Sequence, residues 1–241
     1  MQSLIRAIYP PGCLSCGTET VEAGGLCGPC WGGMTFITGA RCGKCGVPLL
    51  DGDVPSEAED LICDDCLTIG RPWDAGRAVF LYDGTGRKLV LGLKHGDRTD
   101  LVPSFAAWLS REGADLLART DAILPVPVHW RRLLKRRYNQ SALLAQALAR
   151  RTGKTYVPDA LRRPRATKLL DGHSRDARFA ALDGAIRPAP HRAPLLSGRR
   201  VLIVDDVMTS GATLAAATDA AIAGGAAAVS VLVLARVAKS D

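Results

Sequence analysis

The stretch that decides the fold is Val201-Leu202-Ile203-Val204-Asp205-Asp206-Val207-Met208-Thr209-Ser210-Gly211-Ala212-Thr213-Leu214. Its first four residues are apolar, mostly β-branched and without alternation, which predicts a fully buried strand. The Ala-rich sequence from residue 214 to residue 222 predicts a helix. A strand, a short loop and a helix in this order indicate an open α/β sheet, which binds ligands at the carboxyl ends of its strands.

The loop between this strand and helix carries groups that suit a phosphorylated sugar. Two carboxylates follow the strand and can accept hydrogen bonds from sugar hydroxyls. The small residues and the single glycine after them let the backbone approach a ligand closely. Amide N–H groups at a helix start, equivalent to about half a positive charge, suit a phosphate. The predicted ligand-binding residues here are Asp205, Asp206, Thr209, Ser210, Gly211, Ala212 and Thr213.

Other proteins also end an apolar strand with two acids, notably Walker B strands and phospho-acceptor sites. The chain has no G-x-x-x-x-G-K-[ST] sequence, which argues against a P-loop NTPase. The Thr-Ser-Gly-Ala-Thr segment directly after the acids is more specific. The whole block resembles the phosphoribosyl pyrophosphate (PRPP) motif of type I phosphoribosyltransferases.

Length and composition indicate an ordinary globular protein. The 241 residues, 47% of them hydrophobic, suffice for one large domain or two smaller ones. No run reaches the roughly 18 apolar residues of a membrane helix. Residues 1–11 lack a signal-peptide cleavage site and predict a short amphipathic helix. We therefore expect a cytoplasmic protein with no membrane insertion.

The charge distribution indicates an anionic partner. The formal net charge is +7, yet residues 119–200 contain 19 Lys or Arg and only 5 Asp or Glu, while the remaining residues contain 12 and 19. A basic middle in an otherwise acidic chain suits a polyphosphate or a nucleic acid. Solvated basic faces without a ligand are the alternative interpretation.

All eight cysteines belong to four C-x-x-C pairs near the N-terminus. Two such pairs supply the four thiolates of a tetrahedral zinc site. The region has few bulky apolar residues, and a structural zinc contributes about 10–16 kcal/mol to folding. Disulfides are disfavoured without a secretion signal, and an iron–sulfur cluster is a further alternative. We predict two structural zinc ions held by Cys13, Cys16, Cys27, Cys30, Cys42, Cys45, Cys63 and Cys66.

Counting residues does not decide how the four pairs combine. Sequential pairing joins Cys13/Cys16 to Cys27/Cys30 and Cys42/Cys45 to Cys63/Cys66, giving two consecutive ribbons. A cross-braced arrangement instead joins the first pair to the third and the second to the fourth. Both arrangements stay open at this point.

Periodicity predicts further elements between the cysteines and the final motif. Lys94, at the end of one predicted helix, is either a partner of the helix dipole or a ligand contact. The strand at 122–124 must end at the prolines that follow. The predicted strands are 78–82, 122–124, 201–204 and 228–234, and the predicted helices are 87–94, 101–117, 141–149 and 214–222.

Five cations within seven positions follow the strand at 122–124 and form a candidate polyanion site. Arginine binds phosphate oxygens in bidentate geometry. Arg136 and Arg137 are candidates for the pyrophosphate of PRPP. Phosphate contacts and base stacking to single-stranded nucleic acid are predicted for Arg131, Arg132, Lys135 and Tyr138, with Trp130 as the alternative stacking residue.

The order of these motifs resembles the ComF family. Four cysteine pairs are followed by Gly-Leu-Lys-His-Gly at 92–96, Pro-Val-Pro at 125–127, Arg-Arg-Tyr-Asn-Gln at 136–140 and the sugar-phosphate motif. The resemblance implies a small N-terminal double zinc ribbon joined to an α/β domain, a type I phosphoribosyltransferase-like parallel sheet flanked by helices. We expect these parts at residues 1–72 and 73–241. The family is associated with uptake of single-stranded DNA in natural competence and with DNA utilisation.

The resemblance also implies chemistry and partners. PRPP or a related phosphorylated ribose would bind with Mg²⁺, which bridges the pyrophosphate and the sugar hydroxyls; further expected partners are single-stranded DNA and DNA-uptake proteins. The family's mobile loop corresponds to Arg165, Thr167 and Arg178, but Leu170 and Ala181 stand where the family has Gln and Asn. These departures disfavour transfer more than binding. An active phosphoribosyltransferase in nucleotide metabolism, with an unknown acceptor, and a non-catalytic zinc-ribbon adaptor are the alternatives.

Overall fold

The computed structural model describes residues 10–49, 61–165 and 175–238. Five strands form a parallel sheet in the order β1-β7-β6-β2-β3, and β4 and β5 form a separate antiparallel pair. The strands are β1 (Ala75–Leu81), β2 (Ala122–Pro125), β3 (Thr155–Tyr156), β4 (Leu161–Arg162), β5 (Arg187–Pro188), β6 (Arg200–Met208) and β7 (Ala228–Arg236). The predicted parallel sheet is confirmed.

The helices flank this sheet. They are α1 (Gly28–Gly32), α2 (Asp64–Thr68), α3 (Gly84–His95), α4 (Val102–Glu112), α5 (Ala114–Ala118), α6 (Trp130–Arg136), α7 (Gln140–Thr152), α8 (Arg175–Leu182) and α9 (Ala212–Ala223). Short 3₁₀ turns lie at Thr99–Leu101 and Ala193–Leu196. None of the helices in the described ranges combines the length and apolar character needed to span a bilayer.

Burial on both faces of the sheet explains why the sequences of the central strands are uninterrupted apolar runs. Leu202 and Val204 pack on the face covered by α4 and α7, whereas Val201 and Ile203 pack on the face covered by α9. All four residues are at most 1% exposed. A strand buried on both faces cannot alternate polar and apolar side chains, so the sequence pattern of β6 follows from its central position.

Two sequence predictions differ from the structure. Strand β6 extends to Met208, so Asp205 pairs with Val233 of β7 within the sheet, whereas the prediction ended the strand at residue 204. The single helix predicted over 101–117 was wrong, because the chain breaks at Gly113 between α4 and α5. A Cβ at Gly113 would lie 2.7 Å from Cδ2 of Leu232, so the helix ends where the backbone touches β7. The helix predicted over 1–11 falls almost wholly outside the described residues.

The cysteine-rich region packs along the outer edge of the sheet, against β1. The Ile37 amide donates to the Val79 carbonyl at 3.0 Å, and the Gly76 amide donates to the Gly43 carbonyl at 2.8 Å. Phe36 forms an isolated bridge to Phe80. An exposed edge strand offers unpaired N–H and C=O groups to other chains, and these contacts cover part of that edge.

Candidate functional site

The two predicted acids lie where three elements meet: the end of β6, the start of α7 and the end of α3. The Ser141 hydroxyl, in the first turn of α7, donates to Oδ1 of Asp205 at 2.6 Å. The Asp206 amide donates to the same oxygen at 2.9 Å. Nζ of Lys94 lies 3.2 Å from Oδ1 of Asp206. Lys94 is therefore part of the acidic site, and its position at a helix end is not its only role.

Burial and mutual repulsion set the electrostatics of this pair. Burial, followed by the neighbouring charge of Asp206, raises the pKa of Asp205 from 3.8 to about 7. The hydroxyl of Ser141, the Asp206 amide and the charge of Lys94 lower this pKa and only partly offset the increase. The site consequently favours a ligand that brings hydrogen-bond donors or positive charge to the carboxylates.

The loop after β6 turns sharply into α9. Gly211 caps the helix with φ of +83°, a left-handed conformation that glycine adopts without steric cost. The hydroxyl oxygen of Ser210 accepts a hydrogen bond from the Ala212 amide at 3.4 Å. The predicted loop residues Thr209 to Thr213 thus lie together at the amino end of α9, next to the acids.

Two arginines hold the carbonyl side of this loop. Nη1 of Arg236 donates to the carbonyls of Thr209 at 2.7 Å and Met208 at 3.3 Å, and Nη1 of Arg71 donates to the Ser210 carbonyl at 2.6 Å. In a trans peptide the C=O and the following N–H point in opposite directions. The amides that follow these carbonyls therefore point away from the guanidinium groups, as in backbone concavities that bind anions.

The basic segment, residues 131–137, contributes to this site only indirectly. Residues 130–136 form helix α6, and Arg137, at its end, has φ of +65°. Among the described residues, neither Arg136 nor Arg137 forms an ion pair with an acid. Their role toward pyrophosphate remains a prediction.

The residues after these arginines connect α3 to α7. The Tyr138 hydroxyl donates to the Leu93 carbonyl at 2.6 Å, and the Asn139 side chain caps α7 by accepting from the Ser141 amide at 3.1 Å. Gln140, which is 2% exposed, donates to the Lys94 carbonyl at 3.4 Å. The Arg-Arg-Tyr-Asn-Gln segment therefore positions Lys94 and Ser141 at the acids.

Helix α6 contains three of the four predicted nucleic-acid residues, and Tyr138 lies beyond its end. Trp130 is 57% exposed, and the Arg131 guanidinium lies 5.3 Å from the centre of its ring system. Arg132 is partly buried, and Lys135 belongs to the same helix. An exposed indole beside cations suits base stacking combined with phosphate contact, and this role of Trp130 stays a prediction.

Several residues at the site were not predicted from the sequence. Arg163 follows β4; burial and the charge of Arg132 lower its pKa, while Asp205 raises it, which places this cation near both. Ser141, Arg71 and Arg236 also contact the acids or the loop. No local motif marks these residues, because each reaches the site through the tertiary fold. Residues 166–174, which include Thr167 and Leu170, lie outside the described part of the chain.

The cysteines form two groups of four. Within each group all Sγ atoms lie within 4.8 Å of one another, and the groups are Cys13, Cys16, Cys27, Cys30 and Cys42, Cys45, Cys63, Cys66. The pairing is thus sequential, and the cross-braced alternative is excluded. Zn–S bonds of about 2.3 Å place tetrahedral thiolates about 3.8 Å apart, and one Sγ–Sγ distance in each group is 3.6 Å. Both groups fit a structural zinc ion.

Comparison with known proteins identifies the family. Residues 4–67 match the double zinc ribbon domain, and residues 139–241 match the phosphoribosyl transferase domain. Competence protein F of Haemophilus influenzae is 28% identical over 208 residues, 84% of this chain and 86% of that protein. DNA utilization protein YhgH of Escherichia coli K12 is 31% identical over 217 residues, 88% of this chain and 90% of that protein. The chain belongs to the ComF family.

Membership in the ComF family confirms the resemblance based on motif order. The two matched domains agree with the predicted double zinc ribbon and phosphoribosyltransferase-like fold. Among solved structures, adenine phosphoribosyltransferase from Thermoanaerobacter pseudethanolicus is 19% identical to this ComF-family chain and aligns over 66% of it and 78% of the enzyme, with a TM-score of 0.35.

Proposed function

We propose that the protein binds PRPP, or a related phosphorylated ribose, at the carboxyl end of β6 and acts in the uptake or utilisation of single-stranded DNA. The observation that carries the proposal is the placement of Asp205 and Asp206 beside a loop whose carbonyls face arginines. Carboxylates suit the ribose hydroxyls, and the amide side of the loop suits the 5′-phosphate. A single site at the end of β6 would then contact both the hydroxyls and the 5′-phosphate of the sugar.

Each residue has a specific role in this proposal. Asp205 and Asp206 accept hydrogen bonds from the ribose hydroxyls, and residues 209–213 hold the phosphate. Lys94 balances the charge of Asp206 before ligand arrives. Arg136 and Arg137 are assigned to the pyrophosphate. The acids also offer the hard oxygen ligands that Mg²⁺ prefers when it binds together with a substrate's phosphates.

The proposal covers binding rather than turnover. Phosphoribosyl transfer would form a bond between an acceptor and the anomeric carbon while the bond from this carbon to pyrophosphate breaks, and the cations would stabilise the departing pyrophosphate. The loop that closes over the ligand in the family falls partly in residues 166–174, outside the described residues. An active phosphoribosyltransferase therefore remains the first alternative, and a zinc-ribbon adaptor the second.

The role in DNA use rests on two observations. The relatives are named for DNA utilisation and for competence. The exposed Trp130, with Arg131 beside it, forms a surface on α6 suited to a single strand. We propose that this surface contacts single-stranded DNA. None of the eight cysteines forms a disulfide, which suits the reducing cytoplasm, where we propose that the protein acts.

Isothermal titration calorimetry with PRPP and Mg²⁺ tests the sugar-phosphate site. The parent protein should bind, and a variant with Asp205→Ala and Asp206→Ala should lose measurable binding. The control is Asp183→Ala, an exposed carboxylate after α8, which should bind like the parent. Equal heats in the parent and the double variant would exclude the site. Assay of pyrophosphate release with candidate acceptors separates a transferase from a binding protein.

Fluorescence anisotropy with labelled single-stranded DNA across a salt series tests the surface on α6. Replacing Arg131 and Arg132 by alanine should reduce the slope of log K against log salt by up to about 1.4, since each phosphate contact contributes about 0.7. Replacing Arg150 and Arg151, two exposed arginines at the end of α7, removes the same charge and should leave the slope nearly unchanged. Equal effects of the two pairs would contradict the proposal.

A further inference from the structure

Arg71 connects the second cysteine group to the loop after β6. Its Nε–H donates to Sγ of Cys66 at 3.5 Å, and its Nη1–H donates to the Ser210 carbonyl at 2.6 Å. The guanidinium lies 5.4 Å from the centre of the Trp73 ring system. One side chain thus touches a metal-binding thiol, an aromatic surface and the loop proposed to bind phosphate, 139 residues further along the chain.

Lys44, which lies within the second cysteine group, fixes the position of Trp73. Trp73 is 1% exposed, and its indole N–H donates to the Lys44 carbonyl at 2.6 Å. Nζ of Lys44 in turn donates to the Trp73 carbonyl at 2.9 Å. Lys44 lies between Cys42 and Cys45, so both halves of this group contribute to the position of the arginine.

The loop is fitted closely around this arginine. A Cβ at position 211 would lie 2.6 Å from Nη1 of Arg71 and 3.1 Å from Cη2 of Trp73. Gly211 therefore allows the loop to approach the guanidinium and the indole. Because the Ser210 carbonyl points to Arg71, the Gly211 N–H, which belongs to the same peptide, points away from the guanidinium.

We propose that Arg71 is a positioning residue through which zinc in the second cysteine group fixes the conformation of the loop 209–213. Bound zinc holds the Cys66 thiolate in place as an acceptor for Arg71, and hydrogen bonds that involve a charged partner are stronger than neutral ones. Without zinc, Arg71 loses that fixed anchor and the Ser210 carbonyl loses a fixed donor. The structural metal thus controls the order of a loop outside the zinc ribbon.

The consequence for ligand binding rests on the proposed PRPP site. If zinc orders the loop for phosphate, then phosphate binding must raise the zinc affinity of the second group by the same factor, because coupling between two sites is reciprocal. At equilibrium, PRPP should therefore raise the concentration of chelator that is needed to remove zinc from the second group. This coupling should disappear when Arg71 is replaced.

Hydrogen exchange of peptides covering 206–214 tests the link without any ligand. In Arg71→Lys, which keeps the charge but cannot donate to both partners, exchange should be about tenfold faster than in the parent. Arg71→Ala should show the same increase in exchange as Arg71→Lys. The matched control is Arg41→Lys, which disturbs another contact between the cysteine-rich region and the α/β domain, the Arg41–Glu112 ion pair at 2.9 Å, and should exchange like the parent.

Metal analysis and chelation complete the experiment. Zinc content should stay at about two per chain in Arg71→Lys, and chelation should accelerate loop exchange in the parent but produce little further acceleration in this variant. Parent-like loop exchange in Arg71→Lys, or an equal response of both proteins to chelation, would overturn the inference. Because exchange needs no PRPP, failure of PRPP binding in the parent would refute the proposed function without deciding this inference.

Discussion

At the scale of single residues, the raised pKa of Asp205 makes the stability of the folded protein depend on pH. Burial and the adjacent Asp206 raise its pKa to about 7, so the folded protein retains a proton that the unfolded chain releases near pH 4. Between these two pH values the native state binds more protons than the unfolded state. The contribution of Asp205 to stability therefore falls as pH rises from about 4 to about 7, and is constant above that range.

Replacing Asp205 by asparagine should remove this pH dependence. Relative to the parent, Asp205→Asn should gain stability as pH rises from 5 to 8, because the parent must ionise a buried carboxyl and the variant need not. Thermal unfolding midpoints of both proteins, measured with zinc present across this range, check the result. Asp183→Asn, at an exposed position, should track the parent. A constant difference between Asp205→Asn and the parent would show that Asp205 is ionised throughout.

The sequence revealed the acids but not the residues that surround them. Asp205 and Asp206 stand out because two carboxylates follow an apolar strand. Ser141 and Arg71 are 64 and 139 residues from their partners, and nothing in their local sequence indicates a contact. The roles assigned to Arg136, Arg137 and the loop residues stay predictions.

At the scale of elements, local patterns located most helices and strands but not all of their ends. The apolar run at 228–234 corresponds to β7, and the Ala-rich stretch at 214–222 corresponds to α9. The break at Gly113 was missed, because the close contact with Leu232 that ends α4 is a tertiary feature. Backbone pairing with β7 likewise extends β6 through its two acids, against their low strand propensity.

The loop between β6 and α9 gives a prediction at this scale. Gly211→Ala should destabilise the protein through a left-handed backbone, which costs about 1–2 kcal/mol, and through a clash with Arg71 and Trp73. Gly198→Ala is the control, since Gly198 has φ of +69° but no atom within 4 Å of an added Cβ. Urea unfolding should show that Gly211→Ala costs about 1–3 kcal/mol more, the range for overpacking. Equal costs would mean that the loop moves away from Arg71 freely.

At the scale of the whole molecule, the cysteine spacing predicted two metal sites, whereas only the structure shows the sequential pairing. Counting residues cannot decide this, because both pairings satisfy tetrahedral geometry. The domain boundary after residue 72 also stays a prediction. Its position matters less than the contacts across it, since backbone hydrogen bonds and the Arg41–Glu112 ion pair join the two regions.

These contacts predict that zinc protects one edge of the sheet. Zinc binding supplies about 10–16 kcal/mol per structural site, so chelation should unfold the cysteine-rich region. Strand β1 would then lose the hydrogen bonds from the Ile37 amide to the Val79 carbonyl and from the Leu81 amide to the Thr35 carbonyl. Amides in 76–81 should exchange faster after chelation, whereas those of β6, the central strand of the sheet, should stay protected.

An uncovered β1 should also promote association between chains, because edge strands pair with one another when nothing covers them. Light scattering should therefore rise with protein concentration after chelation and return to its starting value when zinc is restored early. A sample given chelator already saturated with zinc is the control and should remain unchanged. If β1 kept its protection and the protein stayed monodisperse without metal, zinc would not be needed to protect this edge of the sheet. The zinc ribbons would then act only through Arg71 or through binding to other proteins.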